Sequence, residues 1–538
     1  MPLTLRTSRD LPAAGSWRHW LAVTGTPGFN DAATRLPDLE RRLERAFEDS
    51  SETWWRLGRA HAADPGGALS HTVACGAFGS DFGLMLAWVR LAGELAAGSD
   101  PVLMLCDDPW LFRRLAALPG VQAGAAPPLA LTELKLRLRG FAARGLLALR
   151  LARSAVAARR WRGAIKGGDP VLLVYGHPAS RADGFDAYFG TLMAELPETR
   201  RLLHTDCPPP RAALLAADGR TASLHGWGSA LFALTMPLWS WRPRRREGDG
   251  ADFWLLRRAA MRENGGGGPA MNRWQMHCQR RFLAAVRPRV ACWPWENHGW
   301  ERDLARAART LGIRTVGYQH TVIGRHQINY AIHANADGAA ALPDLIAADG
   351  PAYLAELAAW GVPKERLGDA GAWRIQPLAG RPFDPDGPVF VPLSAIPAVA
   401  ERQVEAAGRI AATGRQVLVK EHPMYPLDFA DRGCLRRTQT GIGGHAKLSA
   451  VLYATGASGL EALLLGLPAF RLLLADRISI DVLPAGIEAE AVTLDDLPHA
   501  LEAAGAPPPL PYGQVLSPVD MGVWKRLLNG DMHPFSRR

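Results

Sequence analysis

Short, mostly apolar runs bounded by Gly, Pro or Asp recur along this chain, at 102–106, 170–175, 289–292, 315–318, 388–393, 416–420, 449–453 and 469–474. Continuous runs of this kind, as opposed to strict alternation, mark strands buried on both faces, as in a parallel sheet. The intervening stretches carry helical periodicity, and 185–196, 300–311, 400–413 and 519–528 are predicted helices. Strand, helix of about a dozen residues and strand again build a right-handed βαβ unit. The pattern predicts an α/β chain with two Rossmann-like, doubly wound domains facing a central cleft. The first hundred residues mix helical patterns with a few possible strands, and no internal repeat is visible.

A Gly-, Pro- and Asp-rich joint at 368–388 divides the pattern. It suggests an N-terminal α/β domain over 1–370, a C-terminal one over 371–506, and a tail over 507–538 with one helix. Two segments of the first domain stand apart. A basic helical region covers about 131–166, and 239–269 reads as an insertion with an Arg/Trp cluster and four glycines, Gly265 to Gly268.

Charge gives these segments a meaning. The formal net charge of +10 calls for an acidic partner. From Lys135 to Lys166 there are ten Lys/Arg and no Asp/Glu, and Arg242, Arg244, Arg245 and Arg246 lie beside Trp239 and Trp241. Helical spacing does not sort these arginines onto one face, yet arginine with tryptophan suits an anionic bilayer surface. The expected partner is the inner face of a membrane, the alternative a solvated or acceptor-facing helix. No zinc-finger, RNA-recognition or helix-turn-helix pattern supports a nucleic-acid partner. Six scattered cysteines without C-x-x-C, no signal-peptide run and no uncharged apolar stretch of about eighteen residues point to a cytoplasmic chain, peripheral on the membrane at most.

The chemistry concentrates at strand ends. Lys420-Glu421-His422-Pro423 closes one strand. Ala454-Thr455-Gly456-Ala457-Ser458-Gly459-Leu460-Glu461 forms a small-residue turn into a helix, a place where free N–H groups receive an anion. Ser458 and Glu461 have capping-box spacing. Glu296 and His320 each follow a strand and are candidates for a general base, or else a helix-capping carboxylate and a satisfied loop histidine. Asp107 and Asp108 are a third option, with an N-cap before Trp110 the stronger reading. His177, in Gly176-His177-Pro178, and Gln319 are acceptor-side candidates, with a structural turn as the alternative for His177.

Two such domains, a hinge and a phosphate-type turn resemble the plan of GT-B glycosyltransferases. Lys420-Glu421-His422-Pro423 resembles the His-Pro motif of bacterial capsule Kdo, sialyl- and glycerophosphate transferases, and 457–468 resembles their nucleotide-binding element. Trp295-Glu296-Asn297-His298-Gly299-Trp300-Glu301 with Gly317-Tyr318-Gln319-His320 is similar to a pattern of bacterial surface-carbohydrate (capsule and O-antigen) biosynthesis proteins. The resemblance covers about 285–475. It implies a nucleotide-sugar donor as co-substrate, no separate cofactor or metal, and a polysaccharide or lipid-linked glycan acceptor. It implies donor contacts from Lys420, His422, Thr455, Ser458 and Glu461, the last either at a ribose or in the capping box, and catalysis by His320 or Glu296. The alternatives are a nucleotide-sugar epimerase, a glycerophosphate transferase, or a non-catalytic glycan-binding module.

Overall fold

The computed structural model describes residues 3–13, 16–28, 35–77, 79–245, 250–377, 380, 382–531 and 533–535. Arg246 of the Arg/Trp cluster, and 378, 379 and 381 of the joint, lie outside them. Within the described residues, seventeen strands form three wholly parallel sheets. The first sheet joins β1 (Leu3–Arg6), β2 (His19–Ala22), β3 (Val102–Leu105) and β4 (Val121–Ala123), in the order β2-β3-β1-β4. The second contains β5 (Pro170–Val174), β6 (Arg200–Leu203), β7 (Thr221–Ser223), β8 (Val290–Pro294), β9 (Arg314–Tyr318), β10 (Leu345–Ala348) and β11 (Leu367–Asp369). The third contains β12 (Val389–Pro392), β13 (Val417–Lys420), β14 (Leu435–Thr438), β15 (Ala450–Tyr453), β16 (Ala469–Leu472) and β17 (Glu490–Val492).

The two larger sheets are doubly wound, as the pattern predicted. The second runs β11-β10-β9-β8-β5-β6-β7 and the third β14-β13-β12-β15-β16-β17. In each, the chain builds outward from a central strand and then returns to build the other way. The reversal falls between β5 and β8 in one sheet and between β12 and β15 in the other. At such a switch point the flanking connections leave in opposite directions, opening a crevice at the carboxyl ends of the two strands.

The apolar runs fill both faces. Val171 and Leu173 of β5 enter one core layer with Trp293, while Leu172 and Val174 enter the opposite layer with Tyr318. Each fully buried side chain of this kind contributes about 1.5–3 kcal/mol. The tail closes on the same sheet. The helix Met521–Leu528 lays Trp524 against Phe189 and Tyr318, with its indole N–H donating to Ala370 O at 3.0 Å.

The run at 102–106 is a buried strand as expected, and it lies in a separate four-stranded sheet. Two expectations need correction. The predicted helix at 185–196 shrinks to Leu192–Glu195. Gly184 and Gly190 take φ of 98° and 51°, and Asp186 bridges back to Gly190, so the chain makes a tight loop where a helix was expected. The segment 239–269 contains a helix, Phe253–Asn264, and the first two residues of another, Gly268–Val286, with the glycines forming the joint between them. The first of these helices, Phe253–Asn264, packs Leu255, Leu256 and Ala259 into the core of the four-stranded sheet. Buried Arg258 holds Asp81 at 2.7 Å and Asp108 at 2.8 Å.

Candidate functional site

Every strand of the seven-stranded sheet points the same way, so its carboxyl ends share one edge. Glu296 follows β8 and His177 follows β5, which places both at the switch point. His320 follows β9, hydrogen-bonded neighbour of β8, with Pro294 opposite Tyr318. The pairing brings His320 Nε2 to 3.6 Å from Glu296 Oε1. On its other oxygen, Glu296 Oε2 lies 2.7 Å from His298 Nε2. The His71 ring lies tilted against His298 at 5.1 Å, and Tyr188 stands edge-on to His320 at 5.1 Å.

Glu296 is free for these contacts because Glu301 does the capping. The Glu301 carboxylate accepts from the backbone N–H of Glu296 and Asn297, each at 3.0 Å, and from the Trp293 indole at 3.2 Å. Asn297 takes a left-handed φ of 61°, held by side-chain bonds to Asn329 O and Asn335 Oδ1 at 2.8 and 3.2 Å. That turn swings Glu296 toward the histidines.

Electrostatics divide the roles. Burial works to raise the Glu296 pKa, but the His298 hydrogen bond and the charges of His298, His320 and His71 hold it down at about 2. Burial works against a charged His298, yet its bond to Glu296 raises it. Burial lowers His320 to about 4, with Glu296 opposing and Arg374 reinforcing the shift. At neutral pH the triad is thus an ionised carboxylate, a histidine drawn toward its charged form, and a neutral imidazole able to accept a proton.

The second half of the site comes from the six-stranded sheet. At its switch point Ser394, beyond β12, and Thr455, beyond β15, share a hydroxyl–hydroxyl hydrogen bond of 2.6 Å. Gly456 has φ of 93°, with open space where a Cβ would stand, and turns the chain into the helix Ser458–Leu464. The expected capping box does not form. Ala457 is the N-cap and makes no side-chain cap bond, so Ser458 is already the first helical residue. Ser458 instead hydrogen-bonds Glu461, whose pKa is raised by burial and opposed by the charges of Arg374 and Lys420.

Next to this turn, Lys420 ends β13 and His422 follows. Burial lowers the His422 pKa, and so do the charges of Arg374 and Lys420. Its Nδ1 accepts from Met424 N–H at 3.3 Å, and Tyr425 lies against its ring at 5.6 Å. Glu421 faces away, paired with Arg437.

One residue belongs to both halves. Arg374, exposed in the joint between β11 and β12, lies over the Tyr188 ring at 5.8 Å. Its charge lowers His177 to about 4, after burial, together with His422. The same charge reaches His320, His422 and Glu461. No carboxylate pairs with Arg374 among the described residues. Sequence reasoning treated the joint as a hinge and did not single it out, nor Tyr188, His71 or His298. Only His298 had a local signal, its position two residues after Glu296 at a strand end.

The other sequence candidates fall outside this constellation. Gln319 is fully buried, its amide bonded to Thr321 O and to Asp349 N–H, so it ties β9 to β10 and does not face an acceptor. Asp108 caps the helix Pro109–Ala116, accepting from Trp110 and Leu111 N–H, and Asp107 binds Ser8. Neither is a base.

Two other places invite a ligand and are unsuited to this chemistry. A cavity of about 660 Å³ lies beside β16 and β17, lined by four carboxylates, Glu488, Glu490, Asp495 and Asp496, against Arg41, which is paired with Asp496, and His499, a balance that disfavours phosphate. Glu44, Glu48 and His326 could close on a metal ion. Arg471 and Arg325 already occupy Glu44 at 2.7 and 3.0 Å, and His326 binds Glu48 at 2.9 Å.

No protein-family model matches the chain, and no curated protein matches it. Among solved structures, it is similar to the glycotransferase of kitacinnamycin, with 14% identity over 63% of this chain and 89% of that one, and a TM-score of 0.38. Arabidopsis thaliana UGT89C1 overlaps at 13% identity, 63% and 90% coverage and a TM-score of 0.39. The UDP-GlcNAc 2-epimerase of Methanocaldococcus jannaschii overlaps at 9% identity, 66% and 99% coverage and a TM-score of 0.35.

Proposed function

We propose that this chain is a GT-B-type glycosyltransferase that moves a sugar from a nucleotide-sugar donor to a hydroxyl of a polysaccharide or lipid-linked glycan. The observation that carries the reading is the pair of switch points, one supplying a proton acceptor and the other cationic and hydroxyl groups, with Arg374 between them. Lys420, His422 and Arg374 would bind the donor diphosphate as charge-assisted donors. Ser394, Thr455 and Ser458 would add hydroxyl contacts, and Glu461 would accept from the ribose. His320 would take the proton of the acceptor hydroxyl, held in place by the Glu296–His298 pair.

The donor also prepares the base. Arg374 helps keep His320 at about 4, which is low for a general base at neutral pH. A diphosphate beside Arg374 cancels that charge and lifts the imidazole toward the working range. Proton abstraction would then be coupled to donor occupancy. The same constellation favours a second reading, because an imidazole beside a carboxylate–histidine pair can also remove a proton from a sugar carbon, as an epimerase requires.

The test is a thermal-shift screen with UDP, CDP, GDP and CMP, followed by product analysis. One nucleotide should stabilise the chain by mass action, by about 2.7 kcal/mol at a hundredfold excess over Kd. His320→Ala should keep that stabilisation while turnover falls by about 10²–10⁴-fold. Conversion of donor without acceptor would identify the epimerase. Stabilisation by none of the four nucleotides would sink both readings.

A further inference from the structure

The largest feature that the cleft chemistry leaves unused is the basic helix Leu129–Ala157. One face is docked to the protein through Gly140, Arg144, Ala148 and Leu151, all buried, with Arg144 bonded to Pro237 O and Asn264 O. The opposite face is bare. Leu138, Phe141 and Leu146 are 64%, 55% and 70% exposed. The turn and short helix that pack along it add Leu231 and Leu238, at 78% and 87%. Of the fourteen large apolar side chains exposed among the described residues, ten lie on these two adjoining segments. Exposed apolar side chains on a monomer are normally scattered, and a contiguous set marks a surface that something covers.

Charge says what covers it. Lys135, Arg139, Arg150 and Arg153 lie within about 60° of arc along one flank of the apolar stripe, given 3.6 residues per turn. Arg159 and Arg160 continue from the helix end, with Arg160 over the Trp161 ring at 4.3 Å. All six are exposed, and none has a carboxylate partner among the described residues. The helix therefore has one side packed on protein and an outer side on which an apolar stripe grades into a cationic flank, with Leu146 standing among the arginines. Sequence spacing blurred this, because the buried Arg144 belongs to the packed side.

No helix of the described residues is long and apolar enough to cross a membrane. A helix with an apolar stripe, a cationic flank and aromatic residues lies in the plane of the interface instead. We infer that the outer face of Leu129–Ala157, with the adjoining Leu231–Leu238 turn, docks the protein on an anionic phospholipid surface. The leucines and Phe141 enter the headgroup region and the arginines meet lipid phosphates. The Leu231 segment follows β7, on the same carboxyl edge that bears His177, Glu296 and His320. A bilayer at this face therefore lies on the edge that opens to the cleft, whatever reaction takes place there.

The test is co-sedimentation of the full chain with vesicles of neutral phosphatidylcholine, and with phosphatidylglycerol mixed in. The protein should pellet with the anionic vesicles, remain in the supernatant with neutral ones, and be released by high salt. The double variant Leu138→Glu/Phe141→Glu, at exposed positions where the fold is indifferent, should reduce the bound fraction about tenfold or more. Arg150→Glu/Arg153→Glu should do the same, each variant keeping the wild-type melting midpoint. Wild-type protein that stays in the supernatant with both vesicle types overturns the proposal. So does unchanged binding of the leucine–phenylalanine variant. Concentration-dependent self-association that this variant abolishes, without vesicle binding, would show that a second copy covers the face and would also overturn it. Nucleotide binding is measured separately, so failure here leaves the transferase reading standing.

Discussion

Arg374 is the side chain on which the candidate site turns, because it is the cation common to His177, His320, His422 and Glu461. Replacing it with glutamine removes a positive neighbour from three histidines and leaves their burial unchanged. His177, His320 and His422 should all titrate at higher pH in Arg374→Gln, as followed by NMR of their ring protons. Nucleotide affinity should fall by about 10–100-fold, since hydrogen bonds to charged groups contribute about 1.5–3 kcal/mol. Unmoved histidine titrations would place Arg374 outside the site. Glu296 and His320 were legible as individuals, because each follows an apolar strand. Their mutual distance depends on β8 pairing with β9, which the short crossover already suggested. Arg374 was not legible, since its surroundings come from residues 188, 320, 422 and 461, and nothing local marks an arginine in a Gly/Pro-rich joint.

At the scale of elements, the turn from β15 into the helix Ser458–Leu464 shows how backbone fit positions chemistry. Gly459 packs so tightly on the Tyr453 ring that a Cβ there would stand 2.4 Å from the ring carbon. Tyr453 is fully buried, so the ring has nowhere to go. Gly459→Ala should therefore push the helix off the strand and cost about 1–3 kcal/mol, the usual penalty of overpacking. Because Ser458 and Glu461 ride on that helix, nucleotide binding should weaken as well. A full chemical melt and a titration check both, and unchanged values would deny the close packing. The sequence signalled a small-residue turn here, and a turn is what forms. The capping box was misplaced by one residue, because Ser-x-x-Glu spacing cannot say which residue is the last outside the helix. Of the four-stranded sheet only β3 was legible, as the apolar run at 102–106; β1, β2 and β4 are three or four residues long, and β2 and β3 are separated by 79 residues. Runs that short carry almost no periodic signal.

On the scale of the whole molecule, the three sheets are tied by charges and the site is lined with suppressed histidines, and the two have opposite pH ranges. Buried Arg471 of the six-stranded sheet holds Glu44 of the N-terminal layer, and Arg258 holds Asp81 and Asp108. Asp81 and Asp108 have lowered pKa values: burial opposes their charge, but Arg258 more than offsets it. Their contribution is complete above the unfolded carboxylate value and is lost only as pH falls below about 4. The histidines act earlier. Burial lowers His71, His177, His225, His277 and His320 from 6.5 to about 4. Between those values the unfolded chain binds more protons than the folded one, so stability rises with pH. The histidine share of stability is full above about pH 6.5 and declines as the solution is acidified toward 4. His298, raised by Glu296, works in the opposite sense, and so do the buried carboxyls of Glu263 and Glu301, pushed by burial up to about 7, and of Asp349, pushed up to about 8. The histidine share is therefore read by difference: in urea midpoints at about pH 7.5, 6 and 5, the wild-type protein should lose more stability on acidification than His320→Gln does. A nucleotide bound at Arg374 should reduce the decline, because its phosphates favour protonated His177, His320 and His422 in the folded state. A difference between the two proteins that stays constant from pH 7.5 to 5 would mean that His320 is not held neutral, and the neutral base would be lost with it.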